Sequence, residues 1–178
     1  CMIGTGYVGL VSGVCFADIG NQVICVDKEK NKIDKLNSGI SPIYEPGLDE
    51  LIKKNFTAKR LSFTSNIDRA INSSDIIFIC VGTPTKKGSI KVDLSFVYKC
   101  TKEILKYSKR KKIIVTKSTV PVGTGDEIEK IVKKKKKLFT VISNPEFLRE
   151  GEAIRDFRYP DRIAVSYTHL RAHETSQH

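Results

Sequence analysis

Gly4-Thr5-Gly6-Tyr7-Val8-Gly9 follows directly on an apolar stub, Cys1-Met2-Ile3, and leads into Leu10-Val11-Ser12-Gly13-Val14-Cys15-Phe16-Ala17-Asp18-Ile19. Leu10, Val14 and Ala17 share one helical face, and Gly20-Asn21 tolerates the left-handed conformation that ends a helix. Val23-Ile24-Cys25-Val26 reads as a short apolar strand with Asp27 at its C-terminal end. These pieces make a βαβ unit. Its first glycine forms the tight turn, its second lets the backbone approach a pyrophosphate, and its third lets helix and strand pack closely. The helix N-terminus offers unpaired N–H groups and a partial positive charge to phosphates. Asp27 can accept hydrogen bonds from a ribose diol, and its charge repels a 2′-phosphate. GxGxxG alone is weak evidence; the complete unit points to dinucleotide binding.

At 178 residues the chain is one domain's worth of sequence with ordinary globular composition. It has no apolar run of membrane-spanning length and no signal peptide. It begins at Cys1 inside an expected strand, which predicts a missing N-terminus. The five cysteines (Cys1, Cys15, Cys25, Cys80, Cys100) have no CxxC spacing. They suit buried free thiols in a reducing, cytoplasmic setting and argue against zinc or disulfides. Nine of the charges behind the net +11 come from residues 109–112 and 133–137. Each run lies between a predicted helix and the next strand, where a solvated turn is expected. No aromatic platform interleaves with them, so no nucleic-acid partner is predicted.

Beyond Asp27 the pattern keeps alternating. A helix over 28–36 ends at Asn37-Ser38-Gly39 and is followed by a turn-rich loop over 40–47, stiffened by Pro42 and Pro46. A short helix from Leu48, a weak strand over 61–64 and a short capped helix over 65–71 come next. Residues 75–81 form the strongest strand, apolar on both faces as a central parallel strand must be. A polar linker over 86–92 leads to a helix from Asp93, with Leu94, Val97, Tyr98, Thr101, Ile104 and Leu105 at core spacing. Strands are expected over 113–116 and 138–142. Thr124-Gly125-Asp126-Glu127 has capping-box spacing, and Asn144 with Pro145 suits the start of another helix. Strands alternating with helices predict an α/β fold with a doubly wound parallel sheet of Rossmann type. Every unusual loop falls at the carboxyl end of a strand, where such sheets bind ligands.

Several stretches together resemble one family, the nucleotide-sugar dehydrogenases, and within it the members acting on UDP-glucose. These are the opening glycine turn, Ser41-Pro-Ile-Tyr-Glu-Pro-Gly47, Val81-Gly-Thr-Pro-Thr85, Lys117-Ser-Thr-Val-Pro-Val-Gly123 and Asn144-Pro-Glu-Phe-Leu-Arg-Glu-Gly151, extended by Pro160-Asp161-Arg162-Ile163. The resemblance covers about residues 1–165 and implies an N-terminal NAD-binding domain. It implies oxidation of a sugar-nucleotide C6 alcohol to a carboxylate in two rounds, each reducing one NAD. Between the rounds a cysteine captures the aldehyde, and the resulting thioester is hydrolysed. It assigns the pyrophosphate to Gly4, Thr5, Gly6, Tyr7, Val8 and Gly9, and the adenosine ribose to Asp27 with Lys32 near it. Val81, Gly82, Thr83, Pro84, Thr85, Ser118, Thr119, Val120 and Glu150 would line the nicotinamide half. Glu146, Phe147, Leu148, Arg149 and Glu150 would border the sugar nucleotide.

Thr119 and Glu146 would position the hydrolytic water, Glu146 as general base. The residue types suit those roles, because a carboxylate within reach can take a water proton and a hydroxyl can orient that water. Structural readings stand beside these: Glu146 as a helix N-terminal acid, Thr119 as a turn residue, and Tyr44 and Glu45 as loop packing outside the site. The nucleophilic cysteine of the family sits in a Gly-Ser-Cys-Phe-Pro-Lys-Asp context that this sequence lacks. The chain alone is therefore expected to bind NAD without completing the oxidation, and a full-length version to be a homo-oligomer. Residues 166–178 break the pattern and read as a tail outside the family domain. They hold all three histidines, of which His169 and His173 alone make a weak metal case. Three alternatives stay open: a GDP-mannose or UDP-N-acetylhexosamine dehydrogenase, a non-catalytic NAD-sensing module, and a basic nucleic-acid binder.

Overall fold

A computed structural model describes residues 1–86, 88, 91–133 and 139–167. Met2–Ile3 (β1), Tyr7–Asp18 (α1) and Val23–Val26 (β2) form the expected βαβ unit. Lys30–Asn37 (α2), Leu48–Thr57 (α3), Leu61–Thr64 (β3), Ile67–Ser73 (α4) and Ile76–Ile79 (β4) follow. The remainder is Ser95–Tyr107 (α5), Lys112–Thr116 (β5), Thr124–Lys133 (α6), Phe139–Ser143 (β6), Ala153–Arg158 (α7) and Ser166–Tyr167 (β7). The sheet order is β3-β2-β1-β4-β5-β6-β7, parallel except for β7, which runs antiparallel to β6. The chain winds from β1 out to β3, then returns to β4 on the other side of β1. That reversal opens a crevice between β1 and β4 at their carboxyl ends.

The period of two along each strand sorts side chains into two cores, one on each face. Met2, Val23 and Cys25 join Leu10, Val14 and Ile52 on one face, under α1 and α3. Ile3, Val26, Ile77, Ile79 and Ile114 join Val97, Ile104 and Ile128 on the other, under α5 and α6. The first helix is buried on nearly every side, so its apolar sequence all round is what its position requires. Each of its buried leucine and valine side chains contributes about 1.5–3 kcal/mol of burial. Gly13 sets the depth of that packing: a Cβ there would lie 2.7 Å from Cys25 Sγ and 3.0 Å from Met2 Cγ. The C-terminal end of α1 is tied down by Asp18, which accepts from Lys54 and Asn55 of α3 and from Arg158 of α7.

Three local expectations are overturned. Thr124 and Glu127 form no capping box: the Thr124 hydroxyl donates to Pro121 O, and the Glu127 amide donates to Gly123 O, one residue earlier. No helix starts at Asn144-Pro145; residues 144–149 are irregular and α7 begins at Ala153. Asn144 spends its side chain at both ends, accepting from Lys117 and donating to Ala164 O, which leaves nothing to cap with. Lys112 does not belong to a solvated turn. It opens β5 only 1% exposed, with its ammonium donating to Asn72 O in the last turn of α4 and to Ser74 O just past it. Burial, with Arg110 nearby, lowers its pKa. Of the second lysine run only Lys133 lies among the described residues, and all three histidines lie outside them. Ser166 and Tyr167, the start of the expected tail, pair with Ser143 and Ile142.

Candidate functional site

The opening turn has two kinds of glycine. Gly4 sits at φ +103, where a Cβ would come within 2.6 Å of Cys80 O, and at Gly9 a Cβ would lie 1.9 Å from Gly4 O. Those two glycines let β1, α1 and β4 converge. Gly6 differs: a Cβ there would meet nothing within 4 Å. It caps α1 with no side chain bonded to the helix end. The first-turn N–H groups therefore face open space at the positive end of a twelve-residue helix. That is a cradle for a pyrophosphate. A side chain would intrude on it at Gly6, so the residues present fit a dinucleotide.

Asp27 is set at the end of β2. Its Oδ2 accepts from the Thr5 amide at 2.9 Å and the Thr5 hydroxyl at 2.7 Å, and its Oδ1 from the Glu29 amide at 3.1 Å. Lys32 Nζ lies 3.5 Å away. Burial alone would push this carboxyl up. The hydrogen bonds from Thr5 and Glu29, with the Lys32 charge, outweigh it and hold the group below the usual carboxylate range. Thr5 is itself 0% exposed, so its side chain serves to aim Asp27. The remaining cofactor candidates gather at the ends of β4 and β5. The Ser118 hydroxyl donates to Val81 O at 2.7 Å, and the Thr83 hydroxyl donates to Thr119 O at 3.0 Å. Pro84 O accepts from the Asp93 amide, and Thr85 bridges Val92. The first two bonds stitch the two loops together, and the last two fold the β4–α5 connection back on itself. Gly82 is exposed and Val81 half-buried beside the crevice, with Thr119 exposed and Val120 half-buried across from them.

Thr119 and Glu146 lie in the loops that follow neighbouring strands β5 and β6, each three residues beyond the paired positions Thr116 and Ser143. Glu146 Oε2 accepts from the Leu148 amide at 2.6 Å, which pins the carboxylate in a local turn. Glu146, Phe147, Leu148 and Arg149 line a cavity of about 570 Å³ with Lys117, Asn144 and the 160–163 segment; Thr119 and Glu150 lie outside its lining. Arg149 is committed to Asp156 by contacts of 2.7 and 3.1 Å and holds that carboxyl at about 2. Arg162 stacks 4.6 Å from the Phe147 ring centroid.

Two residues escape a sequence reading. Lys117 is 7% exposed, donates to Asn144 Oδ1 at 3.3 Å and faces Glu146; burial lowers its pKa. Glu45 is 6% exposed, not loop packing, while Tyr44 beside it is exposed. Its carboxylate accepts from Tyr7 Oη and from the Gly151, Ala153 and Ile154 amides. The only local signal for either was a charged residue inside an otherwise stiff or apolar segment. All five cysteines are free and buried, and burial pushes the Cys15, Cys25 and Cys80 thiols up to about 12. None of those three is an activated nucleophile at neutral pH. Among the described residues no cluster is built to hold a metal, and no helix is long and apolar enough to cross a membrane.

The sequence pattern of the UDP-glucose/GDP-mannose dehydrogenase family, NAD binding domain, matches residues 1–177. UDP-glucose 6-dehydrogenase of Rhizobium meliloti is 54% identical over 166 residues, 92% of this chain and 38% of that protein. A UDP-glucose 6-dehydrogenase of Bacillus subtilis is 51% identical over 174 residues, 96% of this chain and 38% of its own length. Among solved structures, the UDP-glucose dehydrogenase of Pyrobaculum islandicum superposes with a TM-score of 0.88 at 37% identity, covering 94% of this chain and 40% of that one. A GDP-mannose dehydrogenase of Pseudomonas aeruginosa, solved as a ternary complex, gives 0.86 at 37% identity, covering 93% and 40%. The chain thus spans about two fifths of the length of the relatives it matches.

Proposed function

The chain belongs to the UDP-glucose/GDP-mannose dehydrogenase family and carries its NAD binding domain, and from that premise we propose that it is the dinucleotide half of a UDP-glucose 6-dehydrogenase. The complete enzyme would oxidise UDP-glucose to UDP-glucuronate with two NAD, as a cytoplasmic homo-oligomer. NAD, when bound, supplies the hydride acceptor. The observation that carries the reading is the uncapped α1 N-terminus at Gly6, open to a pyrophosphate, with Asp27 fixed beside it for a ribose diol. Gly4, Thr5, Gly6, Tyr7, Val8 and Gly9 form the phosphate turn, and Lys32 borders the ribose. Val81, Gly82, Thr83, Pro84, Thr85, Ser118, Thr119, Val120 and Glu150 border the nicotinamide half.

Glu146, Phe147, Leu148, Arg149 and Glu150 form the sugar-nucleotide rim. Thr119 orients the hydrolytic water and Glu146 takes its proton, which the pinned carboxylate at the end of β6 supports. We place the family domain over about residues 1–165 and set 166–178 beyond it, while the family pattern itself runs to residue 177 and Ser166–Tyr167 pair with β6. The buried, weakly acidic thiols of Cys15, Cys25 and Cys80 support the further reading that this chain binds NAD but does not complete the oxidation. Titration of residues 1–178 with NAD and NADP tests the first part: NAD binds and NADP binds far more weakly. Equal affinity for the two, or none for either, refutes it. Full-length enzyme assayed with UDP-glucose, GDP-mannose and UDP-N-acetylhexosamines settles the sugar, and turnover by 1–178 alone would refute the division of labour.

A further inference from the structure

The hydroxyl of Tyr7 and the carboxylate of Glu45 join three segments that lie far apart in the chain. Glu45 Oε2 accepts from Tyr7 Oη and, at 2.8 Å, from the Gly151 amide; Oε1 accepts from the Ala153 amide at 2.9 Å and the Ile154 amide at 3.5 Å. Tyr7 Oη also accepts from the Gly151 amide at 3.1 Å and donates to Arg149 O at 3.3 Å. None of the side-chain bonds of Glu45 goes to its own loop. A buried carboxylate is costly unless its lone pairs are met, so this arrangement is strongly specified. Capping α7 alone would need only an acid just before Ala153. An acid 106 residues from Gly151, shared with the first residue of α1, does something more: it fastens the rim to the phosphate turn.

We propose that Glu45 is a positioning residue for the oxidation, which with Tyr7 holds the rim segment carrying Glu146 and Arg149 against the first turn of the dinucleotide helix. The proposal rests on the functional reading of that turn and of Glu146 given above. Tyr7 brings its backbone to the phosphate cradle and its hydroxyl to Glu45, so one residue spans both half-sites. Burial and the neighbouring Glu45 raise the Tyr7 pKa, so the hydroxyl stays protonated and able to donate at any physiological pH.

The test uses full-length enzyme containing this domain, as wild type, Glu45→Gln, Tyr7→Phe and the double variant, with Glu45→Asp as a carboxylate one methylene short. Glu45→Gln keeps NAD affinity within about twofold by direct titration, while kcat/KM for the sugar nucleotide falls roughly tenfold in both single variants. Glu45→Asp does not restore it. The double variant loses less than the two single losses combined, because both remove the Tyr7–Glu45 contact. Unchanged sugar-nucleotide kinetics in Glu45→Gln, losses that add in the double variant, or a loss confined to NAD would each overturn the proposal. If Glu45→Gln does not fold, Tyr7→Phe decides alone, since it leaves Glu45 bonded to Gly151, Ala153 and Ile154. Wild-type enzyme that neither binds NAD nor oxidises UDP-glucose refutes the functional reading instead, whatever the variants do.

Discussion

Around Gly6 the binding surface is backbone: amides of a helix end, a gap where a side chain would stand, and a carboxylate aimed by its neighbours. Around Glu146 it is side chains: a buried lysine, an arginine locked to an aspartate, and a rim held by an acid from a distant loop. The first is assembled within the first 32 residues, the second from segments more than a hundred residues apart. A surface made of backbone tolerates change poorly at a few glycines and freely elsewhere. A surface made of side chains spreads its dependence over many positions.

The sharpest way to break that contrast is to substitute within the turn. Gly9→Ala would drive a Cβ into Gly4 O, and the atom it meets is backbone. The expected destabilisation is about 3–5 kcal/mol by urea unfolding, or failure to fold. A stable Gly9→Ala protein would show that the turn is softer than its geometry. Gly6→Ala should do the reverse: stability within about 1 kcal/mol, because its φ of −71° suits any residue, and NAD affinity down at least roughly tenfold by calorimetry. Asp27→Asn comes next. Loss of a charged acceptor weakens NAD binding by about 1.5–3 kcal/mol and narrows the preference over NADP.

On the rim the expected effects are smaller. Arg149→Ala should leave stability almost unchanged, since the guanidinium of its ion pair with Asp156 is exposed and screened by solvent. The change should appear instead in titration. The arginine holds the Asp156 carboxyl at about 2, so the pair's contribution is complete above the ordinary carboxylate range and is lost as pH falls toward 2. In Arg149→Ala the Asp156 carboxyl, followed by NMR, should titrate higher, moving toward the ordinary aspartate value but short of it, because the amide of residue 149 still donates to it and Arg155 stays nearby. An unmoved titration would show that the guanidinium is not what orders this end of the rim.

How much of this could be read from the chain follows the same divide. The βαβ unit, the glycine turn and Asp27 were legible because their partners are near in sequence and their spacing is dictated by helix and strand geometry. The parallel sheet was legible because apolar runs alternate with helical patterns. Asn144-Pro145 misled because a capping residue and an amide bridging two other segments look alike locally; the Lys117 and Ala164 partners decide between them. Lys112 misled because three exposed-type neighbours hide one residue whose ammonium reaches the carbonyls at the end of α4. Glu45 could not be read at all, since every group that needs it is remote in the chain.

The sequestered cysteines give the molecule an intrinsic reporter. Cys15 and Cys25 lie in the core that α1 covers, Cys80 against Gly4 and Gly9 at the glycine turn, and Cys100 on the opposite face within α5. A thiol-specific reagent should leave all of them untouched in the closed state, so each becomes modified only when its own neighbourhood opens. Peptide-resolved alkylation rates would therefore rank the breathing of the two faces independently, without any engineered label.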